Sequence, residues 1–399
     1  LLLSQNYLCH LTCCDKNLVE EVGGFRKGYE GAQDWDLFLR VTERLRDIEI
    51  HHIPEILYHW RKIPGSTAKS INSKHYALKA AERVLQDTTL RRKINGNVIL
   101  SCEKYFCWQI QRKLPAREPL VTILIPSKDK LSLLKNCISS LRQKTDYKNY
   151  EIIILDNDSE EEETLSYLEE IKINQSAKVL KISGPFNYST INNKGAKQAR
   201  GNILLLLNND IEIIHRDWLS EIVSHAIRPE IGCVGVKLLY PNDTIQHAGV
   251  LLGLGGVAGH AYKNLPENSP GLNCRLKVSQ NFIAVTAACL AVRKDVFEEV
   301  NGLDEENLAV AFNDVDLCIR IRKAGYRNLW TPHAVLYHHE SASRGSDESP
   351  KNIKRFQKEV NYMKIRWKDI LKNDPTYNPN LTLDSEDLSL SFPPRKVLD

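Results

Sequence analysis

From residue 121 to residue 207 the chain alternates short apolar runs with longer stretches of helical period. Residues 121–126 are an apolar run ending in Pro126, and residues 131–144 then set Leu134, Cys137, Ile138 and Leu141 on one helical face. A second apolar run covers 151–155, and runs at 179–182 and 203–207 flank a helical segment near 191–200. Runs that are apolar throughout, rather than at alternate positions, are strands buried on both faces. With amphipathic helices between them they predict a parallel sheet covered on both sides, half of a doubly wound α/β fold. Ligands bind such sheets beyond the carboxyl ends of the strands. Those ends carry the polar residues: Ser127-Lys128-Asp129, Asp156-Asn157-Asp158-Ser159 and Asn208-Asn209-Asp210.

The flanking sequence reads differently. Residues 1–95 end in a helical stretch at 74–92, residues 96–118 read as a linker, and the prolines at 115 and 119 disfavour helix there. Beyond residue 233 the pattern is less regular, with Gly253, Gly255, Gly256 and Gly259 in a loop region and a small-residue strand at 284–292. A basic amphipathic helix is predicted over 351–372, with Phe356, Val360, Met363 and Trp367 on its apolar side, followed by a Pro-rich extended tail to residue 399.

One pattern is written twice. Gly23-Gly24-Phe25, Gln33-Asp34-Trp35-Asp36-Leu37 and Leu57-Tyr58-His59 reappear as Asn301-Gly302-Leu303, Asn313-Asp314-Val315-Asp316-Leu317 and Leu336-Tyr337-His338. From the first Asp to the His there are 25 residues in one copy and 24 in the other. Internal repetition of this kind predicts two related domains, of which the first is represented by its back half alone.

Composition narrows the class. With 42% hydrophobic and 26% charged residues the chain is an ordinary globular protein, and a net charge of +4 points to no nucleic-acid partner while leaving peripheral attachment to an anionic membrane surface open. No apolar run approaches the roughly 20 residues needed to cross a bilayer. The ten cysteines form no Cys-x-x-Cys pair, which points to a reducing compartment and gives no spacing for a zinc site.

Oxygen ligands suit hard divalent cations, so a strand ending in Asn208-Asn209-Asp210 is a candidate metal and phosphate site, with an ordinary turn as the alternative. Taken in order, Pro126-Ser127-Lys128-Asp129, Asp156-Asn157-Asp158-Ser159, Asn208-Asn209-Asp210, Phe312-Asn313-Asp314-Val315-Asp316-Leu317 and His338-His339-Glu340-Ser341 resemble the motif set of family 2 inverting glycosyltransferases of the GT-A fold. The resemblance covers about 119–345 as a complete domain and 1–70 as the back half of a second copy. Residues 346–399 form a C-terminal helix and tail.

The resemblance implies the following roles. Ser127, Asp129 and Asp156 contact the base and ribose of a nucleotide-sugar, and Asn208 and Asn209 lie on the nucleotide side of the Asp-x-Asp position. Asp210 binds Mn²⁺ or Mg²⁺ together with His338, with His339 as a competing ligand. Here the triplet holds one carboxylate where the motif commonly holds two. Asp314 is the catalytic base and Asp316 belongs to the first turn of the following helix, where the dipole favours a carboxylate. Asn193 and Lys194 flank the nucleotide or form an exposed helical face, and Arg344 closes over the diphosphate or is a solvated loop residue. Small residues at 246–249 and 286–289 leave room for an acceptor sugar, while Trp218 and Trp330 fit core packing better than sugar stacking. Asp34 and His59 are the counterparts of Asp314 and His338 without a nucleotide pocket.

The implied reaction moves a sugar from a nucleotide-diphosphate donor to a saccharide or lipid-linked glycan acceptor, in the synthesis of cell-surface polysaccharide. The implied location is cytoplasmic, at the inner face of the plasma membrane. A sugar-1-phosphate nucleotidyltransferase would share the α/β half, but it calls for a Gly-rich loop after the first strand, and Ser127-Lys128-Asp129-Lys130 has no glycine. A catalytically silent carbohydrate-binding or scaffold module fits residues 1–95 best.

Overall fold

The computed structural model describes residues 1–8, 10–55, 57–59, 75–339 and 352–395. The chain divides into two units, Leu1–Lys113 with Asn273–Val278, and Leu114–Leu272 with Ser279–Asp399.

The first unit contains α1 (Lys16–Glu21), α2 (Gln33–Thr42) and α3 (His75–Arg91) with the antiparallel pair β1 (Gly96–Cys102) and β2 (Cys107–Arg112). Trp35 and Leu39 of α2 and Val84 and Leu85 of α3 join Trp108 and Ile110 of β2 in one core. The stretch expected as a linker is thus mostly a hairpin. Its apolar positions at 98, 108 and 110 are recruited by α3, and the unit boundary falls at 113, ahead of the two prolines.

The second unit is built on one sheet. Its strands are β3 (Val121–Ser127), β4 (Tyr150–Asp156), β5 (Lys178–Lys181), β6 (Ile203–Leu207), β7 (Ile211–Ile213), β8 (Ile231–Leu239), β9 (Ile245–His247), β12 (Gln280–Asn281), β13 (Cys289–Arg293) and β14 (Arg327–His338). The order is β12-β14-β8-β13-β6-β3-β4-β5, with β7 on β14 and β9 on β8. β5, β4, β3 and β6 run parallel, as the apolar runs predict. β13 is antiparallel to both β6 and β8 and joins that half to the parallel pair β8 and β14. A separate small pair, β10 (Val250–Leu252) with β11 (Ala258–His260), lies in the glycine-rich region.

The helices are α4 (Leu131–Gln143), α5 (Glu162–Ile173), α6 (Tyr188–Gln198), α7 (Trp218–Ala226), α8 (Lys294–Glu299), α9 (Asn313–Lys323), α10 (Ile353–Arg366) and α11 (Lys368–Lys372). β3 and β6 are buried along their whole length, and Leu134, Cys137, Ile138 and Leu141 of α4 pack in the same core as Ile123, Ile125 and Leu205. α6 sits close to the sheet because Gly195 has no side chain: a Cβ there would meet both methyls of Leu155 at 2.8 Å. Trp218 and Trp330 are fully buried and donate from their indoles to Thr145 Oγ1 and the Val236 carbonyl, so both are core residues.

Candidate functional site

Strand register sets the floor of the site. Ser127 and Asp156 are paired at the carboxyl ends of β3 and β4, and both are buried. The Asn209 amide donates to Ser127 Oγ at 3.1 Å, joining these ends to the turn between β6 and β7. That turn is also held to the far half of the sheet, because β7 pairs with the end of β14 and sets Ile211 opposite His338. Asp210 and His338, 128 residues apart in sequence, therefore meet with Oδ1 and Nε2 3.1 Å apart.

The arrangement of this pair is informative. His338 Nδ1 lies 2.7 Å from Gln246 Oε1 on β9. An amide oxygen only accepts, so Nδ1 carries a proton, and Nε2 is the nitrogen turned toward Asp210. The Asn208 amide lies 3.3 Å from the same nitrogen. Asp210 Oδ1 is buried and accepts no hydrogen bond, and with Nε2 unprotonated two lone pairs would face one another across 3.1 Å. A buried anion left without a donor is costly. A divalent ion resolves the conflict, and two ligands bonded at about 2.1 Å in adjacent positions would lie about 3 Å apart. The donor set fits the ion, with Asp210 and His338 as the residues that would hold it. Among the described residues there is no group of three or more His, Cys, Asp or Glu placed to bind one. His339 turns elsewhere, with Nε2 3.1 Å from Glu212 Oε2.

His247 follows Gln246 and is fully buried, its Nδ1 2.8 Å from Nδ1 of His260. Burial, then the neighbouring His260 and His338, push it well below the ordinary value. It stays neutral near pH 7 and puts no competing positive charge beside the pair.

Asp314 stands on the other side of a two-residue bridge. Asn208 N–H donates to the Ala288 carbonyl at 3.0 Å, and Ala287 N–H donates to Asp314 Oδ2 at 2.9 Å. Tyr188 holds the same peptide from below, its hydroxyl donating to the Ala287 carbonyl at 3.0 Å. The small residues at 286–289 thus fix the carboxylate relative to the Asn208-Asn209-Asp210 turn. Asp314 is not the cap of α9; the residue before the helix is Phe312, with a left-handed backbone at φ 59°, and it gives no side-chain cap.

The loop leading into α9 is held by α10. Glu359, 2% exposed, accepts from Val310 N–H at 2.8 Å and Ala311 N–H at 3.2 Å, and pairs with Arg355. Burial pushes its carboxyl up against the lowering effect of these donors. Asp316 is fully buried and accepts from Arg320 Nε at 2.7 Å and from Trp367 Nε1 at 2.9 Å, which is a structural grip rather than a dipole effect alone. Sequence reasoning missed Glu359; the signal was its phase, four residues before buried Met363 on one helical face.

Other sequence-assigned residues are held by contacts of their own. Asp129 Oδ1 accepts from Glu160 N–H and Glu161 N–H, at 2.8 and 2.9 Å, ordering the turn into α5. The Asn193 amide donates to the Leu303 carbonyl and to Glu305, while its oxygen accepts from Leu303 N–H. Its polar atoms are taken up by the 303–305 loop. Lys194 is exposed on α6, and Arg344 lies outside the described residues. In the first unit Asp34 accepts from Asn6, and His59 is exposed.

The duplicated sequence folds alike locally. Asp36 and Arg40 are paired as Asp316 and Arg320 are, and each Arg also donates from Nη1 to a carbonyl behind it, Val22 in one case and Val300 in the other. Gly23 and Gly24 have positive φ, as do Asn301 and Gly302.

A parallel half joined through an antiparallel strand to a second half, with a carboxylate and a histidine meeting at the seam, has the architecture of the GT-A α/β fold. Residues 122–300 match the model of Glycosyl transferase family 2, and the second unit carries a domain of that family. It is 48% identical over 394 residues to an uncharacterized protein of Sinorhizobium fredii, covering 98% of this chain and 43% of the relative. It is 38% identical over 392 residues to the O-antigen biosynthesis protein RfbC of Myxococcus xanthus, covering 98% of this chain and 30% of that one. The chain thus spans less than half the length of either relative. Among solved structures, GalNAc-T7 with UDP, GalNAc and Mn²⁺ aligns with a TM-score of 0.49 at 15% identity, covering 72% of this chain and 55% of that one.

Proposed function

We propose that the second unit is a metal-dependent inverting glycosyltransferase that moves a sugar from a nucleotide-diphosphate donor to a saccharide or lipid-linked glycan acceptor, in the synthesis of surface polysaccharide. The observation that carries this reading is the buried Asp210 carboxylate without a hydrogen bond, facing His338 Nε2, with Asp314 fixed across the Ala287-Ala288 bridge. The name of the Myxococcus xanthus relative supports the polysaccharide assignment.

Ser127 and Asp156 would bind the nucleoside, and Asn208 and Asn209 would border the diphosphate. Asp210 and His338 would hold Mn²⁺ in preference to Mg²⁺, since one ligand is an imidazole. When bound, the ion supplies positive charge to the leaving diphosphate. The acceptor hydroxyl attacks the anomeric carbon as the bond to the phosphate oxygen breaks, and Asp314 takes the hydroxyl proton. The nucleoside diphosphate leaves with the bonding electrons, and the anomeric configuration inverts in this one displacement. Use of a nucleotide-sugar donor would put the enzyme on the cytoplasmic side, at the membrane face where a lipid-linked acceptor is presented; among the described residues no helix is long and apolar enough to cross the membrane.

Residues 1–113 read as a partial second copy serving as a scaffold. The matched Asp36-Arg40 and Asp316-Arg320 grips support the relationship. Thermal melting with UDP-, GDP- and dTDP-sugars, with and without Mn²⁺, tests the donor assignment, since a ligand at 100 times its Kd adds about 2.7 kcal/mol of stability. One nucleotide should raise the melting temperature only with the metal. A flat response to all three would remove the transferase reading.

A further inference from the structure

α10 presents two faces. One carries Glu359, Tyr362, Met363 and Arg366 and is bound to the 304–316 segment, where Tyr362 and Arg366 donate to Asp304 at 2.8 and 3.0 Å. The other carries Ile353, Phe356, Gln357, Val360 and Asn361, spaced as a single helical stripe. Those five residues, with Phe312 and the 255–258 loop, line a cavity of about 690 Å³. That volume falls within the ~300–1,000 Å³ of small-ligand sites.

The lining has a definite chemistry. Phe312 and Phe356 stack with ring centroids 5.7 Å apart at 29°, and both remain half-buried. Gln357 and Asn361, one helical turn apart, are exposed. Among the described residues, none that line the cavity carries a charge. A nucleoside diphosphate seeks cationic partners, so this cavity does not suit the donor. A pyranose is amphipathic: its C–H face lies on an aromatic ring while its hydroxyls both donate and accept, as carboxamides do. The cavity also adjoins the reacting centre along the chain. Phe312 is two residues before Asp314, and the peptides of Val310 and Ala311 just before it are those held by Glu359.

We propose that this cavity is the acceptor subsite and takes a neutral pyranose of the glycan, its ring on the Phe312 and Phe356 pair and its hydroxyls on Gln357 and Asn361. The inference rests on the reading of Asp314 as the base that takes the acceptor proton. It makes α10, which lies beyond the 122–300 family match, a determinant of acceptor choice.

The test is saturation-transfer NMR on the full chain with methyl α-glucopyranoside, methyl α-mannopyranoside and methyl α-rhamnopyranoside at about 10 mM, a concentration that detects millimolar Kd values. At least one should bind, and Asn361→Ala and Phe356→Leu should each weaken it about tenfold without moving the melting temperature. Asn361 is exposed and Leu keeps the apolar volume, so folding is not at stake. Failure of all three glycosides to bind, or unchanged affinity in both variants, would overturn the proposal. Binding of octyl phosphate in place of the glycosides would also overturn it, by making an alkyl chain the occupant. Calorimetry with nucleotide-sugars and Mn²⁺ is read separately. Loss of donor binding in the unmodified chain would defeat the transferase reading, whereas intact donor binding with no pyranoside binding would defeat the subsite alone.

Discussion

Asp314 and Asp210 are both carboxylates at the end of an apolar segment, yet their surroundings give them different work. Asp314 is half-buried, with one oxygen fixed by Ala287 N–H and the other by Val315 N–H, and so keeps further lone pairs for a hydroxyl proton. Replacing it with Asn preserves the shape and removes the base. Turnover should fall about 10²- to 10⁴-fold, while the donor Kd by calorimetry stays within about twofold; undiminished turnover would mean another base. Gln246 offers a further test of the metal pair, because its amide oxygen holds His338 Nδ1. Gln246→Leu removes the acceptor that fixes the Nδ1 proton, frees the tautomer and should weaken Mn²⁺-dependent donor binding about 10- to 100-fold. Unaltered Mn²⁺ titration curves would show that the ring orientation does not depend on it. Type and order in the sequence put forward Asp210, Asp314 and His338, and the fold brings Asp210 against His338, whereas Gln246's part was not visible, because a hydrogen bond between β9 and β14 has no local pattern.

At the scale of elements, the parallel strands and α4 were legible since β6 is apolar throughout, β3 and β4 are apolar along their middles, and α4 shows its period. The antiparallel seam was not. β13 reads as one more small-residue strand, and its direction depends on the return path of the chain after β8. The 301–311 segment was equally opaque, and there a glycine decides the geometry. Gly302 has φ +63°, and a Cβ on it would lie 2.5 Å from Asn193 Oδ1. Gly302→Ala should cost about 2 kcal/mol or more and lower the melting temperature by several degrees, because it strains the backbone and breaks the Asn193 tie to Leu303. A neutral effect on melting would show that the loop is not anchored through α6. α7 makes a second prediction. Burial pushes the Glu221 carboxyl up, but hydrogen bonds and charge from His225, with Thr331 assisting, hold it at about 2 against an ordinary 4.5. A lowered folded value adds stability that is present above pH 4.5 and lost as pH falls toward 2, on the order of 3 kcal/mol. Burial lowers His333 to about 4 from 6.5, so its contribution is lost on acidification between those values. Melting curves from pH 7 to pH 2 should therefore fall in two steps, and Glu221→Gln should flatten the lower one; an unchanged lower limb would assign it to other groups.

For the whole molecule, the repeat first suggests two equivalent centres, and the folded chain shows how unequal they are. Both copies keep the positive-φ turn and the Asp-Arg-carbonyl grip, while the parallel strands that carry Ser127, Asp156 and Asp210 belong to the second unit. Among the described residues the first unit has one hairpin as its sheet. The division is not a simple linker, since the chain leaves the second unit at Asn273 and returns after Val278. Within the first unit Cys107, Cys274 and Val278 are fully buried together, and desolvation pushes the Cys107 thiol up to about 11. Deleting residues 1–113 would therefore strip the cover from a six-residue stretch that carries an otherwise inert thiol and an apolar side chain. The shortened chain should melt lower than the full chain, and Cys274 should react with a maleimide at least tenfold faster, since burial is what suppresses its thiolate. Mass spectrometry of the labelled peptide reads the rate. Equal labelling of Cys274 in the two forms, together with an unchanged melting temperature, would mean that the first unit contributes nothing to the order of this stretch, and its role would then lie in recognition alone.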